Sequence, residues 1–294
     1  MPAHLKKHTL RVLAGLFVLV NLKNVPTTWH IRVLRAIIYQ LYFSPKPIRR
    51  AQLFAPLVTH TWNSPLDCDY NFHKSNSTYF KDLDVARAHY VGALIRTGLR
   101  RLNAGDKEGL STVAAPTQPK GRRKVPDNFI IALGGVSCTF RKEIKPLARF
   151  EIWTRLLSWD DKWFYVVSHV VRPGAIRPKG YHLQPWKEQG RSWLGSLFSS
   201  SDLKRAVYAT SIAKYVCKKG RATVPPEVLF DRSRLLPSGE VEEELSWEQV
   251  EHMRLRGLKY ATMFDGLAGL QDEFGSEARD GAEDVLGFYG DLFY

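Results

Sequence analysis

The side chains best suited to chemistry are concentrated in residues 67–79, which read DCDYNFHKSNSTY. Asp69 offers a carboxylate, which can act as a general base toward water or attack a carbonyl carbon directly. His73 follows four residues later, where an imidazole could orient water or the carboxylate, and Asn71 adds an amide between them. These residue types indicate acyl-transfer chemistry with Asp69, Asn71 and His73 as the candidate catalytic residues.

Each of these side chains also has a structural interpretation. Asp69 could cap a helix or accept a hydrogen bond from a loop N–H, and His73 could pack on Phe72 or Tyr70. Asp67 is better suited to holding the turn than to catalysis. A metal site that adds a distant histidine to Asp69 and His73 fits no ligand spacing known for metal sites, so no metal ion is expected.

A helix must begin directly after this motif, because apolar residues recur there at spacings of four and three. The recurring residues are Tyr79, Leu83, Ala86, Tyr90 and Leu94. They predict one helix of about 25 residues that ends near Arg101. The unpaired N–H groups and positive dipole end of its first turn could hold an oxyanion. We therefore assign the backbone of residues 74–77 to the oxyanion, and Asn76, Ser77 and Tyr79 to substrate binding, with Asn76 also at the N-cap.

The remaining pattern predicts strands around this helix. Segments with alternating or continuous apolar character are residues 58–62, 134–144, 147–159, 162–171 and 206–218. The short connection at residues 158–162 suits a hairpin. One strand, one long helix and then successive antiparallel strands indicate an α+β fold, in which the helix lies along one face of a curled sheet.

The motif resembles the helix-entry motif of hotdog-fold thioesterases. Plant acyl-carrier-protein thioesterases carry D-x-N-x-H-V-N-N-x-x-Y, which Asp69, Asn71, His73, Asn76 and Tyr79 match in register. The 4-hydroxybenzoyl-CoA thioesterase family has D-C-D, with its catalytic carboxylate corresponding to Asp69. Residues 153–165 (WTRLLSWDDKWFY) resemble RTRLLGWDDRAFY of the group around the animal thioesterase superfamily member six and its fungal relatives.

The resemblance implies a hotdog fold and a homodimer that binds the acyl thioester between its subunits. The implied activity is hydrolysis of an acyl-CoA or of an acyl or polyketide chain on a carrier protein, without a cofactor. Fungal relatives of this group belong to secondary metabolism, where hydrolysis releases an acyl product. The alternative is a non-catalytic acyl- or lipid-binding hotdog protein at a membrane surface. The chain departs from the family pattern at Ser75, where the plant enzymes have the first Asn of a pair.

Charge is distributed unevenly along the chain, whose formal net charge is +14. Residues 1–60 contain nine Lys/Arg and no Asp/Glu, whereas residues 239–294 contain fourteen Asp/Glu and four Lys/Arg. A basic body favours nucleic acid, an anionic membrane or a phosphorylated substrate. The sequence has no motif of interleaved aromatic and basic residues that would recognise nucleic acid, so we expect no nucleic-acid partner. The basic run at residues 120–124 is either a solvated loop or a contact for coenzyme A or a carrier protein.

The N-terminal region allows two interpretations. Residues 12–20 are apolar but shorter than the roughly 20 residues that a transmembrane helix needs. Residues 31–43 are amphipathic and basic. These segments are either helices packed on the domain or a membrane-surface anchor formed by residues 1–45.

We divide the chain into an N-terminal extension (residues 1–57), a hotdog domain (58–230) with a lid-like insertion (172–205), and a C-terminal helix with an acidic tail (231–294). A capping-box pattern at residues 246–249 begins that last helix. Three widely spaced cysteines indicate a reducing compartment, either the cytoplasm or the endoplasmic-reticulum membrane surface.

Overall fold

A single antiparallel sheet forms the centre of the molecule. The computed structural model describes residues 3–44, 46–104, 129–176, 178, 180–187, 204–237 and 245–266. The strands are β1 Leu57–Trp62, β2 Phe129–Phe140, β3 Arg149–Trp159, β4 Phe164–Val171, β5 Val207–Lys219 and β6 Ala222–Val224. In space they follow the order β1-β3-β4-β5-β2, with β6 paired to β5. This arrangement confirms the predicted α+β hotdog fold.

The long helix expected between β1 and β2 is present as α3, Asn76–Asn103. Its predicted apolar stripe is confirmed, because all five side chains from Tyr79 to Leu94 are buried against the sheet. The Tyr90 hydroxyl also accepts a hydrogen bond from the Leu156 N–H at 2.6 Å, where the β3–β4 register shifts. Since an unpaired buried N–H is costly, this bond ties the helix to an irregular point of the sheet.

Helix α5, Trp247–Asp265, covers the opposite face of the sheet. Ser246 is its N-cap, and the predicted capping box with Gln249 is present. Ala261 and Phe264 pack against Leu157, Tyr165 and Val167, among others. Both faces of β4 are therefore buried, as the continuous apolar character of residues 162–171 indicates. A short helix, α4 Pro226–Arg232, packs on α3.

The sequence-based bounds of β2 are wrong at both ends. The strand was expected at residues 134–144, but it begins at Phe129 and ends at Phe140. The strand begins earlier because Phe129 pairs with Lys219 of β5. Gly134 and Gly135 lie at a register shift inside the strand and not at its beginning. The Trp163 ring fills the space beside Gly134, where a Cβ would lie 2.2 Å from a ring carbon. A contact from a distant strand therefore explains this glycine.

Two helices precede the sheet: α1, Ala3–Val20, and α2, Thr28–Ile38, which continues as a π-helical turn to Phe43. Helix α2 packs on α3. Helix α1 leaves large apolar side chains 52–69% exposed, from Leu10 to Leu19. Within the described ranges, no helix combines the length and the apolar character that a membrane crossing requires.

Several expectations fall outside the described residues. These are the basic run at 120–124, residues 188–203 of the lid-like insertion, and the acidic tail after residue 266. Trp186 in the described part of the insertion is exposed. The division of the chain at residues 57 and 230 stays a prediction.

Candidate active site

A tight turn connects β1 to α3 and contains the candidate catalytic residues. Cys68 and Lys74 form an isolated antiparallel bridge, and the Asp69 N–H donates to the His73 carbonyl at 3.0 Å. Phe72 has φ of 59°, a left-handed conformation that costs a non-glycine residue about 1–2 kcal/mol. The turn thereby places the side chains of Asp69 and His73 next to each other at its base.

The ionisable side chains of Asp69, His73 and Glu143 lie in a row, with the imidazole in the middle. The Nδ1 atom of His73 lies 3.6 Å from Asp69 Oδ1, and its Nε2 atom lies 3.5 Å from Glu143 Oε1. Asp69 Oδ1 also accepts the Asn71 N–H at 2.9 Å. The side chains of Asp69 and His73 are 26% and 25% exposed, so a substrate could reach both. The two imidazole–carboxylate distances are long for hydrogen bonds, and such contacts often tighten only when substrate binds.

Glu143 was not singled out from the sequence. It lies three residues after β2, more than sixty positions from the motif, in a segment expected to be strand. The residue acquires its place beside His73 because Ile144 accepts a hydrogen bond from the Lys74 N–H at 2.9 Å. Only this long-range pairing brings the third group to the site.

The start of α3 differs from the prediction at the cap. Ser75, and not Asn76, is the N-cap residue, and Asn76 is the first residue of the helix. The amides of Lys74 and Ser75 donate to the carbonyls of Ile144 and Asp67, so neither can bind an oxyanion. Asn76 and Ser77 N–H groups have no acceptor among the described residues. Of the backbone N–H groups of residues 74–77 that were predicted to bind the oxyanion, only those of Asn76 and Ser77 are therefore available.

The other candidate residues lie in different surroundings. Asn71, Asn76 and Ser77 have exposed side chains at the surface around Asp69. Tyr79 is buried and packs edge-to-face on Phe140, with ring centroids 5.0 Å apart. Its assigned role in substrate binding stays a prediction, since its ring belongs to the core.

A cluster of buried charges lies directly beneath this turn. Asp67 and Asp82 are fully buried, and so are Lys23 and Lys74. Lys23 Nζ lies 2.6 Å from Asp67 Oδ2 and 3.1 Å from Asp82 Oδ2. Lys74 Nζ lies 2.9 Å from Asp82 Oδ2. Each buried carboxylate thus has cationic partners, as burial of a charge requires.

Two further cations complete the cluster from its edges. Lys81 Nζ lies 2.7 Å from Asp67 Oδ1, and Arg32 Nη2 lies 3.0 Å from Asp82 Oδ1. Burial alone would raise the pKa of Asp67, but Lys74, Lys23 and Lys81 together lower it to about 2. The pKa of Asp82 is likewise lowered, because its lysine and arginine partners outweigh its burial. Both carboxylates are therefore ionised and paired with nearby cations, as expected if Asp67 holds the turn.

The geometry suits attack on a carbonyl carbon. A partly exposed carboxylate lies beside an imidazole, and two free amides begin the helix that follows. Within the described ranges, no group of three or more His, Cys, Asp and Glu side chains is arranged to hold a metal ion.

Comparison with known proteins agrees with this chemistry. The profile of the Thioesterase-like superfamily matches residues 64–230. Probable thioesterase atnL of Emericella nidulans is 36% identical to this chain, in an alignment that covers 94% of this chain and 90% of the length of atnL. Thioesterase poxG of Penicillium oxalicum is also 36% identical, over 87% of this chain and 84% of its own. Protein THEM6 of Xenopus laevis is 35% identical over 36% of this chain. The resemblance inferred from the motifs is confirmed.

The lowered pKa of Asp67 leads to an acid-stability prediction. Its carboxylate stabilises the native state above its ordinary pKa of 3.8, and this contribution is lost as pH falls toward about 2. Asp67→Asn leaves buried lysines with one partner fewer, so we expect a loss of about 3–5 kcal/mol at pH 7. Urea unfolding at pH 7 and at pH 3 measures the cost of the substitution and the pH dependence of stability. The free energy of unfolding should fall less from pH 7 to pH 3 in the variant than in the wild-type protein.

Glu251→Gln is the matched control, because Glu251 forms an exposed pair with Arg254 on α5. Its removal should cost less than about 1 kcal/mol. Equal stability losses for the two variants would contradict a structural role for the buried cluster.

Proposed function

The chain belongs to the thioesterase-like superfamily and is a thioester hydrolase, and we propose that Asp69 carries out its hydrolytic step. The observation that carries this proposal is the position of a partly exposed carboxylate, 3.6 Å from His73, at the entrance to α3. The neighbouring Asp67 is unsuitable, because it is buried and bound by three lysines. Asp69 is therefore the carboxylate of the motif that can meet a substrate.

The proposed reaction breaks the thioester C–S bond. Asp69 removes a proton from water as the water oxygen attacks the carbonyl carbon. The Asn76 and Ser77 amides stabilise the resulting oxyanion, assisted by the positive end of the α3 dipole. Collapse of the tetrahedral intermediate expels the thiolate, which takes up a proton, and leaves a carboxylic acid. His73 orients Asp69, and Glu143 holds the other side of the imidazole.

We propose that the substrate is an acyl or polyketide chain on coenzyme A or on a carrier-protein arm. Both carriers present the same thioester next to an anionic phosphopantetheine arm, which suits a chain with net charge +14. Tyr70 and Phe72 are exposed beside Asp69 and offer aromatic contacts to the acyl group. The resemblance to fungal secondary-metabolism enzymes favours release of a pathway product.

A homodimer formed along β2 would complete this site. Strand β2 pairs with β5 on one side only and ends the strand order of the sheet. Its other edge carries half-exposed Ile130 and Leu133, a combination that favours pairing with another strand. Glu143 lies three residues beyond the end of β2. A second copy paired along this edge would therefore reach the acyl-binding side of Asp69.

We further propose that α1 lies in the surface of an anionic membrane. Its apolar side chains are exposed on several sides of the helix, and no acidic residue occurs in the first sixty positions. Helices with this composition bind the headgroup boundary of anionic bilayers without crossing them. The hydrolase would then act on substrates close to a membrane surface.

Asp69→Asn tests the proposed base. Asparagine can still accept the Asn71 N–H, so the turn should keep its shape. We expect thiol release from acyl-CoA thioesters to fall by at least about 10²-fold, because general-base catalysis contributes about 10²–10⁴-fold. Asp231→Asn, an exposed carboxylate on α4, is the matched control and should retain full activity. Unchanged turnover in Asp69→Asn would rule out this assignment. His73→Ala in the same assay measures the contribution of the imidazole.

Ile130→Glu tests the dimer. A charge at the edge of β2 opposes strand pairing, so light scattering should report one chain mass of 33.6 kDa where the wild-type protein gives twice that value. Hydrolysis should fall with the dimer. Met263→Glu places the same charge on an exposed residue of α5 and should leave the dimer intact. A monomeric wild-type protein, or a dimeric Ile130→Glu variant, would refute the proposed interface.

The double variant Leu13→Glu/Phe17→Glu tests the membrane surface. Truncation is unsuitable, because Lys23 and Arg32 belong to the buried charge cluster. The wild-type protein should float with phosphatidylcholine–phosphatidylserine liposomes, and the double variant should remain at the bottom of the gradient. The Met263→Glu variant should float. Flotation of the double variant, or none of the wild-type protein, would contradict the proposal.

A further inference from the structure

A cavity lies beside β1, at the opposite edge of the sheet from the proposed dimer edge. Its volume is about 500 Å³, and α2, α3, β1 and residues 180–184 contribute to its walls. Neither Asp69 nor His73 lines it. Strands β1 and β2 end the strand order on opposite sides. His89, on the cavity wall, lies roughly 20 Å along α3 from Asn76 at a rise of 1.5 Å per residue.

One wall carries a buried polar pair. Gln40 is only 4% exposed, and its Nε2 lies 3.3 Å from Nδ1 of His89. Burial, aided by the charge of Arg35, lowers the pKa of His89 to about 4, so the imidazole is neutral at neutral pH. When Gln40 donates to Nδ1, the ring proton lies on Nε2, which has no partner among the described residues. His89 thus has one N–H donor left for a ligand.

Gln40 has an unused polar atom as well. Its side-chain oxygen is buried and has no hydrogen-bond partner in the described part of the chain. Reversing the amide would satisfy the oxygen through His89 but leave the nitrogen without an acceptor. A buried amide with one unpaired atom is destabilising unless a ligand or water bonds to it. Gln40 and His89 therefore each have a polar atom without a hydrogen-bond partner among the described residues, and both residues line the cavity.

The rim of the cavity is cationic. Arg35 is exposed, and among the described residues no carboxylate pairs with it. Arg32 also lines the cavity, but its guanidinium already donates a hydrogen bond to Asp82. Lys187 reaches the rim with its ammonium 5.2 Å from the centre of the Tyr181 ring. Arg35 and Lys187 therefore offer positive charge to a ligand at the mouth.

The rest of the lining is apolar or aromatic. Leu57, Val85, Tyr90 and Trp153 are among the residues that form it. A volume of this size is typical of small-molecule sites, which combine apolar walls with a few placed polar groups.

We propose that this cavity binds an organic carboxylate with an acyl or aromatic body. Arg35 and the His89 N–H take the carboxylate, and the apolar wall takes the body. A hydroxyl group on the ligand would meet the unpaired amide atom of Gln40. The proposal does not depend on the role of Asp69, although a free carboxylate is also the product class of thioester hydrolysis.

Calorimetric titration of the full chain with sodium octanoate and sodium 1-naphthoate tests the proposal. Arg35→Gln should weaken binding by at least about tenfold, since hydrogen bonds to charged groups contribute more than neutral ones. Arg11→Gln removes the same charge from exposed α1 and should bind like the wild-type protein. Octan-1-ol lacks the carboxylate and should bind at least tenfold more weakly than octanoate.

Two further variants separate this cavity from the hydrolytic site. His89→Phe should weaken carboxylate binding, and Asp69→Asn should leave it unchanged whether or not that variant is active. Absence of binding, equal affinity of the Arg35→Gln and Arg11→Gln variants, or loss of binding in Asp69→Asn would overturn the proposal. Full displacement of octanoate by a non-hydrolysable acyl-CoA thioether would also overturn it, because the carboxylate would then occupy the hydrolytic site.

Discussion

The buried charges of Lys23, Asp67, Lys74 and Asp82 hold the segment after α1 against the turn that enters α3 and against α3 itself. Lys23 follows α1, Asp67 and Lys74 flank the turn that holds Asp69, and Asp82 lies on α3. No carboxylate among them can be removed without leaving an uncompensated cation in the interior. The N-terminal extension is therefore part of the support of the active site, and its removal would disturb the turn that holds Asp69.

The environment of each carboxylate decides its role. Asp67 and Asp69 are two residues apart, yet Asp67 is buried among lysines, whereas Asp69 lies at the surface beside His73. The first is held ionised by its partners, with a pKa of about 2. Asp69 has no lysine or arginine partner among the described residues and stays accessible, as a general base or nucleophile must be. The strongly paired Asp67 therefore anchors the turn without engaging Asp69, the carboxylate proposed for chemistry.

Helix α3 connects two regions with different ligand chemistry. At its first turn, free amides of Asn76 and Ser77 lie near Asp69 and favour a developing negative charge. Farther along, His89 and Gln40 line a cavity whose rim carries Arg35. The two regions are separated along the helix, because His89 lies thirteen residues, or roughly 20 Å, beyond Asn76. A single helix can thus serve a hydrolytic site and a separate carboxylate site without sharing side chains between them.

The sequence by itself determined the fold class and the register of α3, and it singled out Asp69 and His73 as candidates, because these depend on local periodicity and on a short motif. Its errors fell where distant contacts decide. β2 begins at Phe129 because β5 pairs with it, and Ser75 caps α3 because the turn before it is fixed by Ile144 and Asp67. Glu143 and Lys23 could not be assigned from local patterns. Their partners lie far away along the chain, and only folding brings them together.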